Sequence, residues 1–454
     1  MRRRSLTGPV ILILIGAGFL VYNLRPDIPI FDMMAQYWPF LLIVWGLLRL
    51  LEVMVDYFRG TPQRTSFSGG EVALIVILCF IGWGAFEAHS HGVRFRPAWE
   101  AFGEHYDYDV DAQKAAGKAT RVLFEHTRGN LHIVGADTTD VKVTGRKTIQ
   151  ALNRSDADRA HENTPIEIVE EGGQIIVRSN QDRNTTSGKI SEDLEVTVPK
   201  RMNVEARGNY GDYEVTDLDG TVELHSDRAD VRLNRIAGNT RVELSHSELV
   251  RAVDVKGSLD VQGKGSDLEL ENIAGQVTIN GSYSGSLEFK NLSKPLHFES
   301  PNTDLRVAAV PGQISMDLGV LNADHLIGPV HLVTKSKDVK IEDFTDSLEL
   351  ETERGDIELQ PKHSPLPKIE ARSKTGQINL VLPDKSAFQL VASTDHGDAV
   401  NDFGPPIQKQ TDGRSASLKG TVGSGPSIHL ITERGTVSVR KEGAESGDTD
   451  KAEM

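Results

Sequence analysis

The sequence predicts a mainly β chain: a single-chain β-solenoid of stacked short strands, preceded by three transmembrane α-helices. Three observations carry that prediction. An apolar–polar–apolar triplet returns about every nine residues across 222–359, as in Leu259-Asp260-Val261, Leu268-Glu269-Leu270, Val277-Thr278-Ile279, Leu287-Glu288-Phe289 and Leu296-His297-Phe298. The residues between triplets are turn formers, among them Gly257, Gly275, Gly285, Asn302, Gly312, Gly328 and Gly355. Ahead of the repeats lie three apolar stretches of nearly membrane-spanning length. Alternation with period two makes each triplet a short strand with two side chains in and one out. A fixed period of such strands marks a solenoid, in which each coil buries its apolar side only against its neighbours.

The first apolar stretch, 9–22, follows Arg2, Arg3 and Arg4, a charged start that would also suit a signal peptide. No small-x-small cleavage site follows it, so it is expected to remain as a span. The second, 38–55, ends around Arg49 and Glu52. These two read as a snorkelling pair at the interface, with an intramembrane contact to a partner as the sharper alternative. The third, 72–86, is expected to form a helix over 68–90, and each stretch approaches the ~20 residues that cross a bilayer. Arg2 to Arg4 precede the first span, and Arg59 and Arg64 separate the second from the third. That bias puts the amino terminus in the cytoplasm and exports everything after the third span. The expected location is the inner membrane, multi-pass, with the carboxy-terminal domain outside the cytoplasm.

Residues 91–118 read as a juxtamembrane linker. Glu87, His89, His91 and His105 raise a metal question there, because His-x-His offers two imidazoles. The spacing is unspecific, and no metal is assigned. Leu123-Phe124, Leu131-His132-Ile133 and Val141-Lys142-Val143 are strand-like, with a Gly129-Asn130 turn between the first two. The polar run 153–162 reads as one short surface helix, and 180–187 as a polar loop. Leu194-Glu195-Val196-Thr197-Val198-Pro199 then enters the regular array. The triplets run to Ile314-Ser315-Met316, loosen, and resume at Val330-His331-Leu332. The solenoid is expected over 119–441 and a disordered acidic tail over 442–454. Two triplets per coil would make a coil of about eighteen residues; three per coil is the other option.

Composition removes several function classes. A net charge of −15 on 454 residues argues against a nucleic-acid partner. The single cysteine, Cys79, lies in an apolar run, so no intrachain disulfide, Cys-based metal site or thiol enzyme is expected. No Walker loop is present, nor a Gly-x-Gly-x-x-Gly between strand and helix. Glycosidase chemistry needs two acids at a defined separation. The outward triplet positions instead spread Glu223, Glu243, Glu269, Glu288, Glu349 and Glu358 along a face, interspersed with Arg232, Arg306, Lys340, Thr278 and Ser315. Mixed signs of this kind read as solvation and cross-strand pairing. His225, His246, His297, His325 and His331 are scattered without a nucleophile or a second histidine at metal spacing. Gly263-Lys264-Gly265-Ser266-Asp267 is one partial echo of a calcium-binding solenoid repeat, not an array. No catalytic, cofactor-binding or metal residue is therefore assigned, and no cofactor.

Two parts of the chain resemble known families. Gly8-Pro9, Gly16, Gly18, Trp38-Pro39-Phe40 and Trp45-Gly46-Leu47-Leu48 resemble the paired transmembrane helices of LiaF-like envelope-stress regulators, here over 1–60. Most of 119–441 resembles the bacterial putative-adhesin, or toastrack, family. The residues behind this are the Thr/Ser-x-x-Gly-x-hydrophobic turns Ser373-Lys374-Thr375-Gly376-Gln377-Ile378, Thr394-Asp395-His396-Gly397-Asp398-Ala399 and Thr432-Glu433-Arg434-Gly435-Thr436-Val437. The resemblance implies an envelope scaffold or sensor with no catalytic residues to transfer.

The leading expectation is a non-enzymatic, membrane-anchored envelope protein. Its exported solenoid would act as a protein-interaction, adhesin-like or stress-sensing scaffold, partnered by the bilayer and by another envelope protein. The alternative is a membrane-tethered carbohydrate-binding or carbohydrate-active β-helix, which a groove of acids with aromatic platforms would favour; aromatics are only 6% of the chain. Homo-oligomerisation through coil edges is a third option.

Overall fold

The triplets do what their alternation demands. In the computed structural model, which describes residues 103–184 and 189–443, both apolar members of every triplet named above are buried. Their polar centres face outward. The chain divides into two compact units, and the larger comprises 105–150, 160–185 and 189–454. From the smaller, the described residues include the start of a helix, Arg154–Asn163. Asn153 caps it by accepting the Asp156 amide at 2.9 Å, as an N-cap side chain should. Among the described residues no helix is long and apolar enough to cross a membrane. The three expected spans, with Arg49, Glu52, Cys79, Glu87, His89 and His91, lie outside the described residues.

The larger unit is a two-strand solenoid. On one face Val204, Val222 and Thr240 stand side by side in parallel register, each eighteen residues on from the last. On the other, Tyr213, Val231 and Val250 stand in parallel register at steps of eighteen and nineteen residues. Two triplets therefore make one coil, and the option of three is excluded. At the corner after the second strand the backbone is left-handed at Asp217, Arg235, Asp254, Asn272 and Asn291. Such residues stack, and Asn291 donates to Asn272 (2.7 Å) while Asn272 donates to Asp254 (3.0 Å). At the opposite corner Gly220, Gly238, Gly257 and Gly275 pile up so closely that a Cβ on Gly238 would lie 2.1 Å from the Gly220 carbonyl oxygen.

The looser stretch is a reversal. The strand Thr303–Met316 runs antiparallel to Leu287–Leu292 and Leu296–Glu299 on one side and to Val320–Ser336 on the other. Two tight turns make it: Ser300 donates its amide to the Thr303 carbonyl (2.8 Å), and the Asp317 carboxylate accepts the Gly319 and Val320 amides (2.8 Å each). Parallel coils resume beyond it.

Both ends depart from sequence order. The strands Arg121–Glu125 and Leu131–Ala136 are inserted between Gln174–Arg178 and Lys189–Pro199 on one side and Asn203–Tyr210 and Tyr213–Leu218 on the other. At the far end Ser427–Arg434 and Val437–Lys441 are inserted between Ile369–Thr375 and Ile378–Leu382 on one side and Phe388–His396 and Ala399–Asp402 on the other. Antiparallel strands then cover the outermost coils, Asp140–Ala151 at one end and Ser415–Val422 at the other. The segment read as linker holds a strand, Glu104–Ala115, because Tyr106, Tyr108, Val110 and Ala112 alternate with acids and inward-facing groups gain cover.

The Thr/Ser-x-x-Gly turns acquire a physical meaning here. Thr334, Thr352, Ser373, Thr432 and Thr394 form one buried row across successive coils. Thr432 donates to the Gly376 carbonyl (3.0 Å) and Thr394 to the Gly435 carbonyl (2.8 Å). A glycine is needed because each turn lies against the turn of the next coil: a Cβ on Gly376 would meet the Gly355 carbonyl oxygen at 2.0 Å.

Candidate interaction surface

Coil stacking brings the outward positions into rows, and the rows decide what the carboxylates can do. Each of the six glutamates singled out from sequence meets a positively charged or imidazole group of its own chain. Glu223 lies 3.0 Å from Arg121, Glu243 2.6 Å from Arg241, Glu269 3.4 Å from Arg251 and Glu288 2.5 Å from Lys290. Glu349 is 3.2 Å from His331, and Glu358 is 3.5 Å from Lys340. Partial burial pushes Glu243 up, but Arg241 and His225 outweigh it, so its carboxyl titrates below the ordinary range. Lys362 and Lys340 hold Glu342 down in the same way. A carboxylate held ionised by a neighbouring cation is a poor general acid.

The histidines remain dispersed. His225 pairs with Glu243 (2.9 Å), His297 with Asp304 (3.5 Å) and His325 with Asp343 (2.6 Å), while His246 and His105 are exposed. Arg232 faces Asp212 (3.5 Å) and Arg306 faces Asp304 (2.9 Å). In the calcium-like echo, Asp267 accepts the Ser286 amide (2.9 Å), so that side chain serves the turn.

A cleft of about 900 Å³ runs along the first coils beside Glu125, Arg178, Arg207, His225 and Glu243. Next to it Glu205, Glu223 and His225 bring three ligand-type atoms within 4.8 Å of one another. Sequence reasoning did not find Glu205 or Arg121. The Arg121 guanidinium bridges Glu205 and Glu223, and Arg207 also pairs with Glu205. The chain's own arginine thus fills the position a cation would take.

Sequence reasoning also missed a second cluster. Lys147 and Glu192 sit directly opposite each other on antiparallel strands, with side chains 1% and 0% exposed and Nζ 2.9 Å from Oε1. His126 approaches the same carboxylate, Nδ1 to Oε2 3.7 Å. Burial pushes the His126 imidazole down to about 4 and pushes the Glu192 carboxyl up, the latter against the pull of Lys147. A signal was available: Ile190-x-Glu192-x-Leu194-x-Val196 puts Glu192 on the inward side.

With this geometry in view, the comparisons with known proteins take on weight. The family model described as Toastrack DUF4097 matches residues 130–440. The chain belongs to the toastrack family. A second model, the LiaF transmembrane domain, matches 7–95, so this toastrack protein is a membrane protein. No curated protein matches it significantly. Solved structures that align with it include a "putative cell adhesion protein" from Clostridium sporogenes (10% identity, 74% of this chain and 100% of the other, TM-score 0.19). A "putative adhesin" from Bacteroides fragilis gives 11% identity, 74% and 97% coverage and a TM-score of 0.19. A "putative lipid binding protein" from Parabacteroides distasonis gives 10%, 74%, 96% and 0.20. At those scores the alignments add nothing to the family assignment.

Proposed function

We propose that this toastrack protein is a non-enzymatic envelope scaffold, anchored by three membrane spans with its amino terminus in the cytoplasm, and that its exported solenoid binds another envelope protein. The observation that carries this reading is the internal pairing of the six outward glutamates named above, each beside a cationic or imidazole group of the same chain. A face built this way presents a fixed charge pattern to a broad partner and no reactive acid pair. Electrostatic complementarity would set partner choice and encounter rate more than affinity.

Protease added to intact spheroplasts should degrade the region after Lys118, while crosslinking in the same membranes should recover a discrete protein partner. Full protection would reverse the orientation. Turnover of an envelope polysaccharide by the purified protein, abolished by one Asp or Glu substitution, would replace the scaffold with the carbohydrate-active alternative.

A further inference from the structure

We propose that Lys147 and Glu192 close a side-chain amide bond, a covalent staple between the strands Asp140–Ala151 and Lys189–Pro199. The two groups are cross-strand partners, fully buried, with Nζ 2.9 Å from the Glu192 carboxyl. Neither Glu192 oxygen meets the angle of a well-formed hydrogen bond, although Lys147 lies at ion-pair distance. The Lys147 hydrogens have another destination. Nζ donates to the Thr164 carbonyl and lies 3.3 Å from the Thr164 hydroxyl. That hydroxyl gives its own proton to the Ala160 carbonyl (2.8 Å), so toward Lys147 it only accepts. Both Thr164 oxygens therefore lie on one side of the amine, and the Glu192 carboxyl lies within reach at 2.9 Å.

Burial pushes the Glu192 carboxyl up, toward its protonated form. The reaction is a condensation. Nζ attacks Cδ of the protonated Glu192 carboxyl, an N–H proton and the carboxyl hydroxyl depart together as water, and an amide remains. No oxidant or co-reactant is needed. His126 is placed to relay the proton: its Nδ1 lies 3.7 Å from Oε2, and neither ring nitrogen has a hydrogen-bond partner. Burial keeps that imidazole neutral at ordinary pH, so a ring nitrogen lone pair is open to take up a proton and pass it on. Holding amine and acid in contact raises their effective concentration to roughly 10⁵ M or more.

The staple is read by mass. Intact full-length protein, purified in detergent, should weigh one water less than its sequence. Digestion should yield a branched peptide joining Lys147 to Glu192. Lys147→Met and Glu192→Ala should each restore the full sequence mass, and His126→Asn should slow appearance of the light form at least tenfold without preventing it. Cooperatively folded wild-type protein that keeps the full sequence mass, with no branched peptide after prolonged incubation, would overturn the proposal and leave a buried ion pair. A light form that persists in Lys147→Met would place the lost water elsewhere and overturn it equally.

Discussion

The regular coils from Val204 to Phe298 and the amino-terminal coils beside them follow the same two-strand path, yet they place charge on opposite sides of the wall. In the regular coils the inward triplet positions are apolar apart from Thr240, and charge lies on the outer side, mostly in exposed pairs such as Arg251 with Glu269. In the amino-terminal coils Lys147, Glu192 and His126 occupy inward positions with almost no exposure. The difference teaches that position within the coil, not residue type, sets the energetic stake. Outside, a charge keeps most of its hydration and its pairing adds little. Inside, each charge has lost its water and must be compensated by a neighbour or neutralised.

The sharpest way to break the comparison is to put an unpaired charge into the regular coils. Leu268 is fully buried and stacked between Val250 and Leu287 in neighbouring coils. Leu268→Asp should destabilise the solenoid by about 4 kcal/mol or more, measured by thermal or urea unfolding, through loss of packing and burial of a lone carboxylate. Because coils contact only their neighbours, the damage should spread along the stack and not stay in one rung. A loss below about 1 kcal/mol would mean that Leu268 does not face inward.

A smaller effect should come from acid acting on the amino-terminal coils. His126 titrates near 4 in the folded protein because burial opposes its charge, against 6.5 for the unperturbed group. Between those values the unfolded chain binds the proton and the folded chain does not, so stability falls as the pH drops from about 6.5 toward 4. The whole window is worth about 3 kcal/mol at most by linkage. Replacing the imidazole, as in His126→Asn, should flatten this part of the stability–pH curve. An unchanged curve would show that other groups drive the acid response.

How much of this was legible in the sequence follows from the same distinction. Period two in Leu268-Glu269-Leu270 reports which side of the sheet a residue faces, and that was read correctly for every triplet. It does not report strand direction. Leu305, Val307, Ile314 and Met316 are buried in an antiparallel coil just as their counterparts are in parallel ones. The reversal was marked only by the turn residues around Asn302 and Gly319. Nor can alternation show that strands close in chain sequence are separated in the stack, as at both ends, since non-sequential pairing leaves each strand's own pattern unchanged. The buried cluster escaped for a different reason: Lys and Glu at alternating positions usually mean solvent, and only the surrounding Ile190, Leu194 and Val196 mark Glu192 as inward.

The smallest expected effect closes the comparison from the outside. Glu269 lies on the outward side of the triplet whose inward residue is Leu268, and its partner Arg251 sits one coil away at 3.4 Å. Both side chains are about half exposed, 45% and 53%. Water screens that pair and fixing two long side chains costs entropy, so exposed pairs contribute about 0–1 kcal/mol. Glu269→Gln keeps the shape, leaves Arg251 hydrated and removes one charge from an acidic chain, which relieves some self-repulsion. It should therefore change unfolding stability by less than about 0.5 kcal/mol, against several for its neighbour Leu268→Asp. The solenoid's chemistry is concentrated in this contrast between adjacent residues. If the two substitutions cost the same in urea melts, the assignment of inward and outward faces is wrong, and with it the view of the outer wall as a surface free to be specified by a partner.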